Sequence, residues 1–256
     1  MLKCTGYHQR EAGDGEVLEK AGALPTPKRY ELVLLDADGT LFDYHRAEAQ
    51  ALERAYGHLG LSYDPGRHLA RYRAINDELW ADLEQGKISQ AALRTERFRR
   101  LFWEDGVEVE LPGFSRTYLG YLGEGAFLLD GAEETCRYLA AKYRLAIVTN
   151  GIKEVQAARL SRSPLAPYIS HLIISEDAGC QKPDPGIFDF AFRVTGHTQR
   201  HTVIMVGDSL TADILGGVNY GIDTCWYNPD GRPLPAAGAC RPTFEIRHLY
   251  GLTQIL

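Results

Sequence analysis

The sequence predicts an α/β protein, a doubly wound parallel sheet with a helical block inserted after its first strand. Short, uninterrupted apolar runs recur along the chain, as in strands buried on both faces of a parallel sheet. Helical apolar spacing separates these runs, and parallel strands need such crossovers. The insertion is placed by a third observation: residues 47–125 contain no strand-like run and carry arginines and aromatics at helical spacing.

Taken in order, residues 1–29 are rich in Gly, Glu and Lys, lack a sustained apolar period and end in Pro25-Thr26-Pro27, so they read as a flexible leader. Leu32, Val33, Leu34 and Leu35 form the first strand, with Asp36 at its carboxyl end. Residues 30–46 and 126–256 make the α/β core, and 47–125 a helical cap domain. Within the cap, Trp80, Phe98, Phe102 and Trp103 read as packing between helices rather than as stacking surfaces for a substrate. Leu145 to Val148, Leu172 to Ile174, Val203 to Val206 and Ile222 to Trp226 supply the later strands. Ala132, Cys136, Leu139 and Tyr143 share one helical face. Ile187, Ala191 and Val194 share another, opened by Asp184 and Pro185 as cap and first turn.

Composition narrows the function. A chain of 256 residues with 45% apolar content can bury a full core. A net charge of −6 provides no broad basic face, which disfavours a nucleic acid polymer or an anionic membrane as partner. The five cysteines are odd in number, widely spaced and free of C-x-x-C, arguing against a disulfide framework or a zinc site and for a reducing compartment. With neither an apolar run of membrane length nor a signal-like start, the expected location is the cytoplasm.

Four segments at or beside strand ends carry the chemistry: Asp36-Ala37-Asp38-Gly39-Thr40, Thr149-Asn150-Gly151, Lys182-Pro183-Asp184-Pro185, and Gly207-Asp208 through Asp213. Each alone has a bland alternative, since an Asp after a strand caps helices, T-N-G makes turns and a Lys before Pro sits on solvated loops. Together they converge on the crevice at the carboxyl ends of parallel strands. Four acidic groups there need a cation among them, and oxygen donors without His or Cys point to Mg²⁺.

This order resembles the haloacid dehalogenase superfamily, whose phosphatases carry D-x-D-G-T, a strand-end Thr or Ser, a Lys and a final G-D-x(n)-D segment. The resemblance implies a Rossmann-like core with a C1-type helical cap that closes over the crevice and selects the leaving group. It implies Asp36 as nucleophile and Asp38 as general acid and base. It places Mg²⁺ among Asp36, the Asp38 backbone carbonyl and Asp208, with Asp213 supporting from behind. Thr149, Asn150 and Lys182 would hold phosphate. Asp38 is a discriminating position, because the superfamily's dehalogenases carry no acid there. A closer resemblance, to its pyrimidine 5′-nucleotidases, rests on Leu34 to Asp38 with Thr40-Leu41-Phe42, on Thr149-Asn150-Gly151, on Ile174-Ser175-Glu176, on Ile187-Phe188-Asp189 and on Asp213 to Asn219 leading to Cys225-Trp226. The implied partner is a small phosphorylated metabolite, a nucleoside monophosphate. A sugar-phosphate phosphatase or phosphomutase is the alternative enzyme, and a phospho-accepting receiver domain the alternative outside enzymes.

Overall fold

The structure, a computed structural model, describes residues 30–235 and 240–256 together with the backbone of Val17 and Leu18. The strands are β1 (Val17–Leu18), β2 (Leu32–Leu35), β3 (Arg144–Thr149), β4 (Ile169–Ile174), β5 (Val203–Gly207), β6 (Asp223–Tyr227) and β7 (Phe244–Ile246). They form one seven-stranded sheet in the order β1-β7-β6-β5-β2-β3-β4. Strands β2 to β7 run parallel, and β1 pairs antiparallel with β7. The expected fold class is therefore present, with β1 and β7 added to the strands read from the sequence. The remainder of the 1–29 leader lies outside the described residues.

The alternation of apolar side chains explains the layers. Val33, Leu35, Leu145, Ile147, Ile204 and Val206 point to one face, where they pack on Ala132, Cys136 and Leu139. These belong to α5 (Ala132–Ala140), which follows a helical block of α1 (Tyr44–His58), α2 (Ala70–Glu84), α3 (Gln90–Trp103) and α4 (Leu111–Glu124). Leu32, Leu34, Ala146, Val148, Val203 and Met205 point the other way, onto Ile187, Phe188, Ala191 and Phe192. Those four lie on α8 (Pro185–Thr195), preceded by α6 (Lys153–Arg162) and α7 (Ser175–Ala178) and followed by α9 (Leu215–Tyr220) and the terminal α10 (Leu252–Ile255). A strand buried on both faces must be apolar throughout, which is why the runs are unbroken.

The four-helix block has its own core, in which Tyr56, Tyr72, Phe98, Phe102, Phe114 and Tyr118 pack together. Phe98 and Phe102 therefore pack as expected, whereas Trp103 stands exposed. No helix of the described residues is long and apolar enough to cross a membrane.

Two features of this frame position the site. After β2 the chain builds β3 and β4 on one side, then returns to build β5, β6 and β7 on the other, so strand order reverses at β2. A crevice opens at such a switch point. Register then sets the height: Leu35 pairs with both Ile147 and Val206, and Thr149 with Ile174. Asp36 comes one residue after Leu35, and Thr149 and Asp208 come two after Ile147 and Val206, so the three emerge within one residue of the same level.

Candidate active site

Asp36 leaves β2 with its backbone N–H donating to the Val206 carbonyl at 2.8 Å, so the sheet ladder itself fixes where its side chain starts. The turn that follows needs Gly39. Its φ is +84°, and a Cβ there would lie 2.8 Å from Asp208 Oδ2. Thr40 completes the turn, with its hydroxyl accepting from the Asp208 N–H at 3.1 Å and reaching Asp208 Oδ1 at 3.4 Å. The first and last motifs are thereby fastened together.

Lys182 is the centre of charge. Its ammonium, 2% exposed, donates to Asp36 Oδ1 at 2.5 Å, to Asp213 Oδ1 at 2.6 Å and to the Val148 carbonyl at 2.6 Å. All three protons are used. Asn150 aims this lysine: its Oδ1 accepts from the Lys182 N–H at 2.8 Å and its Nδ2 donates to the Lys182 carbonyl at 2.9 Å. The Asn150 side chain is thus committed to the loop, and only its backbone faces the crevice as a possible donor. The Lys182–Pro183 peptide bond is cis. Thr149 Oγ1 accepts from the Gly151 N–H at 3.0 Å, which leaves the hydroxyl proton to give.

Asp213 is anchored at both oxygens, Oδ1 by Lys182 and Oδ2 by the Ser209 N–H at 3.0 Å. Asp36, Asp208 and Asp213 each bring a carboxylate oxygen within 4.8 Å of the others. Burial pushes the Asp36 carboxyl up to about 7 against the pull of Lys182, and Asp213 adds to the rise. Burial and the Asp36 charge push Asp208 up to about 6. Asp213 is raised as well, chiefly by burial. Burial also works against the charged form of Lys182, but Asp213 and Asp36 outweigh it and raise its value. Two buried carboxylates and a half-buried one around a single ammonium are short of positive charge. Oxygen donors alone, in a cluster of this width, fit a hard divalent cation.

Asp38 stands apart from that cluster. Its Oδ2 accepts from Gln156 Nε2 at 2.5 Å and its Oδ1 from Arg159 Nη1, both on α6. The sequence reading missed these two partners, although a signal existed. Val155, Gln156 and Arg159 fall on the inward face of α6, where an amphipathic helix ordinarily carries apolar residues.

These residues open into a cleft of about 470 Å³ lined by Asp36, Asp38, Thr149, Lys182 and Asp208 on the sheet side. The opposite wall is one face of α2, Asn76, Asp77, Trp80, Ala81 and Glu84, with Tyr44 and His45 of α1. Trp80 thus faces the cleft as well as packing beside Leu79 and Leu83. Every residue singled out from the four motifs reaches this one place.

Comparison with known proteins agrees with this geometry. The profile of haloacid dehalogenase-like hydrolases matches residues 30–221. The HAD-hydrolase YfnB of Bacillus subtilis is 39% identical over 230 residues, covering 90% of this chain and 96% of that protein. The crystal structure of YfnB bound to magnesium, described as revealing interdomain movement, superposes with a TM-score of 0.83 at 38% identity, over 90% of this chain and 99% of that one. Pyrimidine 5′-nucleotidase PynA of Streptococcus pneumoniae is 38% identical, over 89% of this chain and 95% of its own length. Pyrimidine 5′-nucleotidase YjjG of Escherichia coli is 32% identical, over 89% and 98% respectively. With a family profile matched over residues 30–221 and relatives 32–39% identical along most of its length, the chain belongs to the haloacid dehalogenase-like hydrolases.

Proposed function

We propose that the protein hydrolyses small phosphate monoesters with Mg²⁺ through an aspartyl-phosphate on Asp36, and that pyrimidine nucleoside 5′-monophosphates are its preferred substrates. The observation that carries this is the Asp36–Lys182–Asp213 arrangement beside Asp208, where a buried nucleophile is already paired with the positive charge it needs.

A phosphate dianion repels a carboxylate, so charge must be neutralised before attack. Mg²⁺ held by Asp36, Asp208 and the Asp38 carbonyl would supply part of that neutralisation, as a Lewis acid on phosphate oxygen. Lys182 supplies the rest. The Thr149 hydroxyl and the Asn150 backbone N–H orient the remaining phosphate oxygens. Asp36 attacks phosphorus in line, the ester P–O bond breaks, and its electron pair stays on the leaving oxygen. That oxygen takes the proton of Asp38. Asp38, now a carboxylate, takes a proton from water as the water attacks the phosphoryl group, releasing inorganic phosphate and restoring Asp36.

Substrate class is supported by the α2 wall and by the two nucleotidase relatives. Trp80 offers a flat apolar surface, while the Asn76 amide is already engaged by the Tyr44 hydroxyl and Arg97. Asp77 and Glu84, both raised by burial, make that wall unfavourable for a second anion. A single phosphate on an uncharged, planar leaving group suits it.

The test is direct. Asp36→Asn abolishes Mg²⁺-dependent phosphate release, and turnover retained by that variant would sink the nucleophile assignment. Across nucleoside monophosphates and sugar phosphates, the highest kcat/KM falls on a pyrimidine nucleotide, and a sugar phosphate in first place would overturn the substrate class.

A further inference from the structure

Asp38 is held from behind by a pair of buried polar side chains on α6 that none of the four motifs contains. Gln156 and Arg159 are one turn apart, and each donates to a different Asp38 oxygen. The Arg159 side chain is 0% exposed and that of Asp38 28% exposed, so the pair sits on the protein side of a carboxylate whose front meets the cleft.

The two partners differ in what they can do. The Arg159 guanidinium is fixed: Nε donates to the Leu122 carbonyl of α4 at 3.2 Å, and Cζ lies 5.7 Å from the Tyr44 ring and 5.9 Å from the Phe42 ring. It carries donors only, so the oxygen facing it cannot carry a proton without setting donor against donor. A charge-assisted bond of this kind is also the stronger of the two. Gln156 is different. Its neutral amide donates through Nε2 to Oδ2, which has lone pairs enough to accept that bond and still carry a proton toward the cleft. It can hold Asp38 in either protonation state.

A second, independent observation shows that space is kept for this contact. A Cβ on Gly151, the glycine of the Thr149-Asn150-Gly151 segment, would overlap the Gln156 amide at Nε2. Gly151 therefore does more than turn the chain. It leaves the corridor through which Gln156 reaches Asp38.

We propose that Arg159 anchors Asp38 through Oδ1 while Gln156, admitted by Gly151, guides Oδ2, the oxygen that gives a proton to the leaving group and takes one from water. Gln156 and Arg159 are positioning residues, and the proposal rests on the reading of Asp38 as general acid and base.

The experiment compares the phosphorylation step for a nucleoside monophosphate, whose alkoxide must be protonated, with that for p-nitrophenyl phosphate, whose phenolate leaves unaided. In Gln156→Leu and Gly151→Ala, phosphorylation by the nucleotide slows by about 10–100-fold, a partial loss of the roughly 10²–10⁴-fold that general acid catalysis contributes, with KM changed far less. The aryl phosphate still gives a rapid burst of p-nitrophenolate, then turns over slowly because the second step needs the base. Loss that is equal on both substrates marks a merely structural role and overturns the proposal, as does no loss on either. Asp38→Asn separates this outcome from failure of the underlying reading. If Asp38→Asn shows the leaving-group dependence and Gln156→Leu does not, the positioning role alone fails. If Asp38→Asn shows none, the acid and base assignment fails and the proposal with it.

Discussion

Lys182 concentrates more of the site's electrostatics than any other residue. Its three protons go to two carboxylates and a carbonyl, and no water is needed to satisfy it. Removing it leaves Asp36 and Asp213 facing each other in a buried space. Breaking a buried pair from one side costs about 3–5 kcal/mol, because the remaining charge stays desolvated. Lys182→Met is expected to lose stability on that scale at pH 8, measured by urea unfolding. At pH 5 the loss is smaller, since the abandoned carboxylates neutralise by taking up protons. An equal loss at both pH values would show that the lysine acts by packing alone.

At the scale of the element, α2 forms the wall of the cleft that faces the strand ends. Asn76, Asp77, Trp80, Ala81 and Glu84 recur at the spacing of one helical face, and that face is the cleft wall. His45 also lines it, but its ring turns toward the buried Glu48 carboxylate, 3.8 Å away, which raises its value. The wall therefore presents two acids, Asp77 and Glu84, to the cleft. Reversing one of them, in Asp77→Lys or Glu84→Lys, is expected to raise kcat/KM about tenfold for substrates with a second phosphate, relative to nucleoside monophosphates. An unchanged ratio would mean that the α2 acids do not face the leaving group. The same element explains why a purely packing role for Trp80 was too narrow a reading: it joins Leu79 and Leu83 on one side and the cleft on the other. Arg94 of α3, which pairs with Glu154 on α6 and Glu176 on α7, fastens the helical block to the sheet beside this wall.

For the whole molecule, the raised carboxyls link pH, metal and stability. In an unfolded chain these groups ionise near their ordinary value of 3.8, whereas Asp36 and Asp208 hold their protons to about 7 and 6. Their contribution to stability without metal is thus complete below the unfolded value and is lost as pH rises through the folded one. A divalent cation reverses the trend, because it binds the deprotonated forms. Thermal unfolding with Mg²⁺ minus that with chelator should give a difference that grows from pH 5 to pH 8. At a hundredfold excess over Kd the gain is about 2.7 kcal/mol, or about 5–10 °C for a chain of this size. A difference independent of pH would show that the cluster is not where the cation acts.

The sheet, and the side chains that converge at its carboxyl edge, were readable in the chain. Unbroken apolar runs are what double burial requires, and in a parallel sheet the residues at their carboxyl ends must share one crevice, so Asp36, Thr149, Lys182, Asp208 and Asp213 could be brought together from strand ends and short motifs. Gly216 and Gly217 allow close packing, for added Cβ atoms would press on Phe188 and Thr224. Strands β1 and β7 were not legible. At two and three residues they carry too little pattern, and pairing partners far along the chain define them. Nor were the roles of Gln156, Arg159 and the α2 wall. A helix announces its inward face by spacing, but what lies opposite that face depends on how helices distant in sequence pack across the sheet. That Asp38 meets a buried arginine and an amide follows from this long-range packing, which no local pattern encodes.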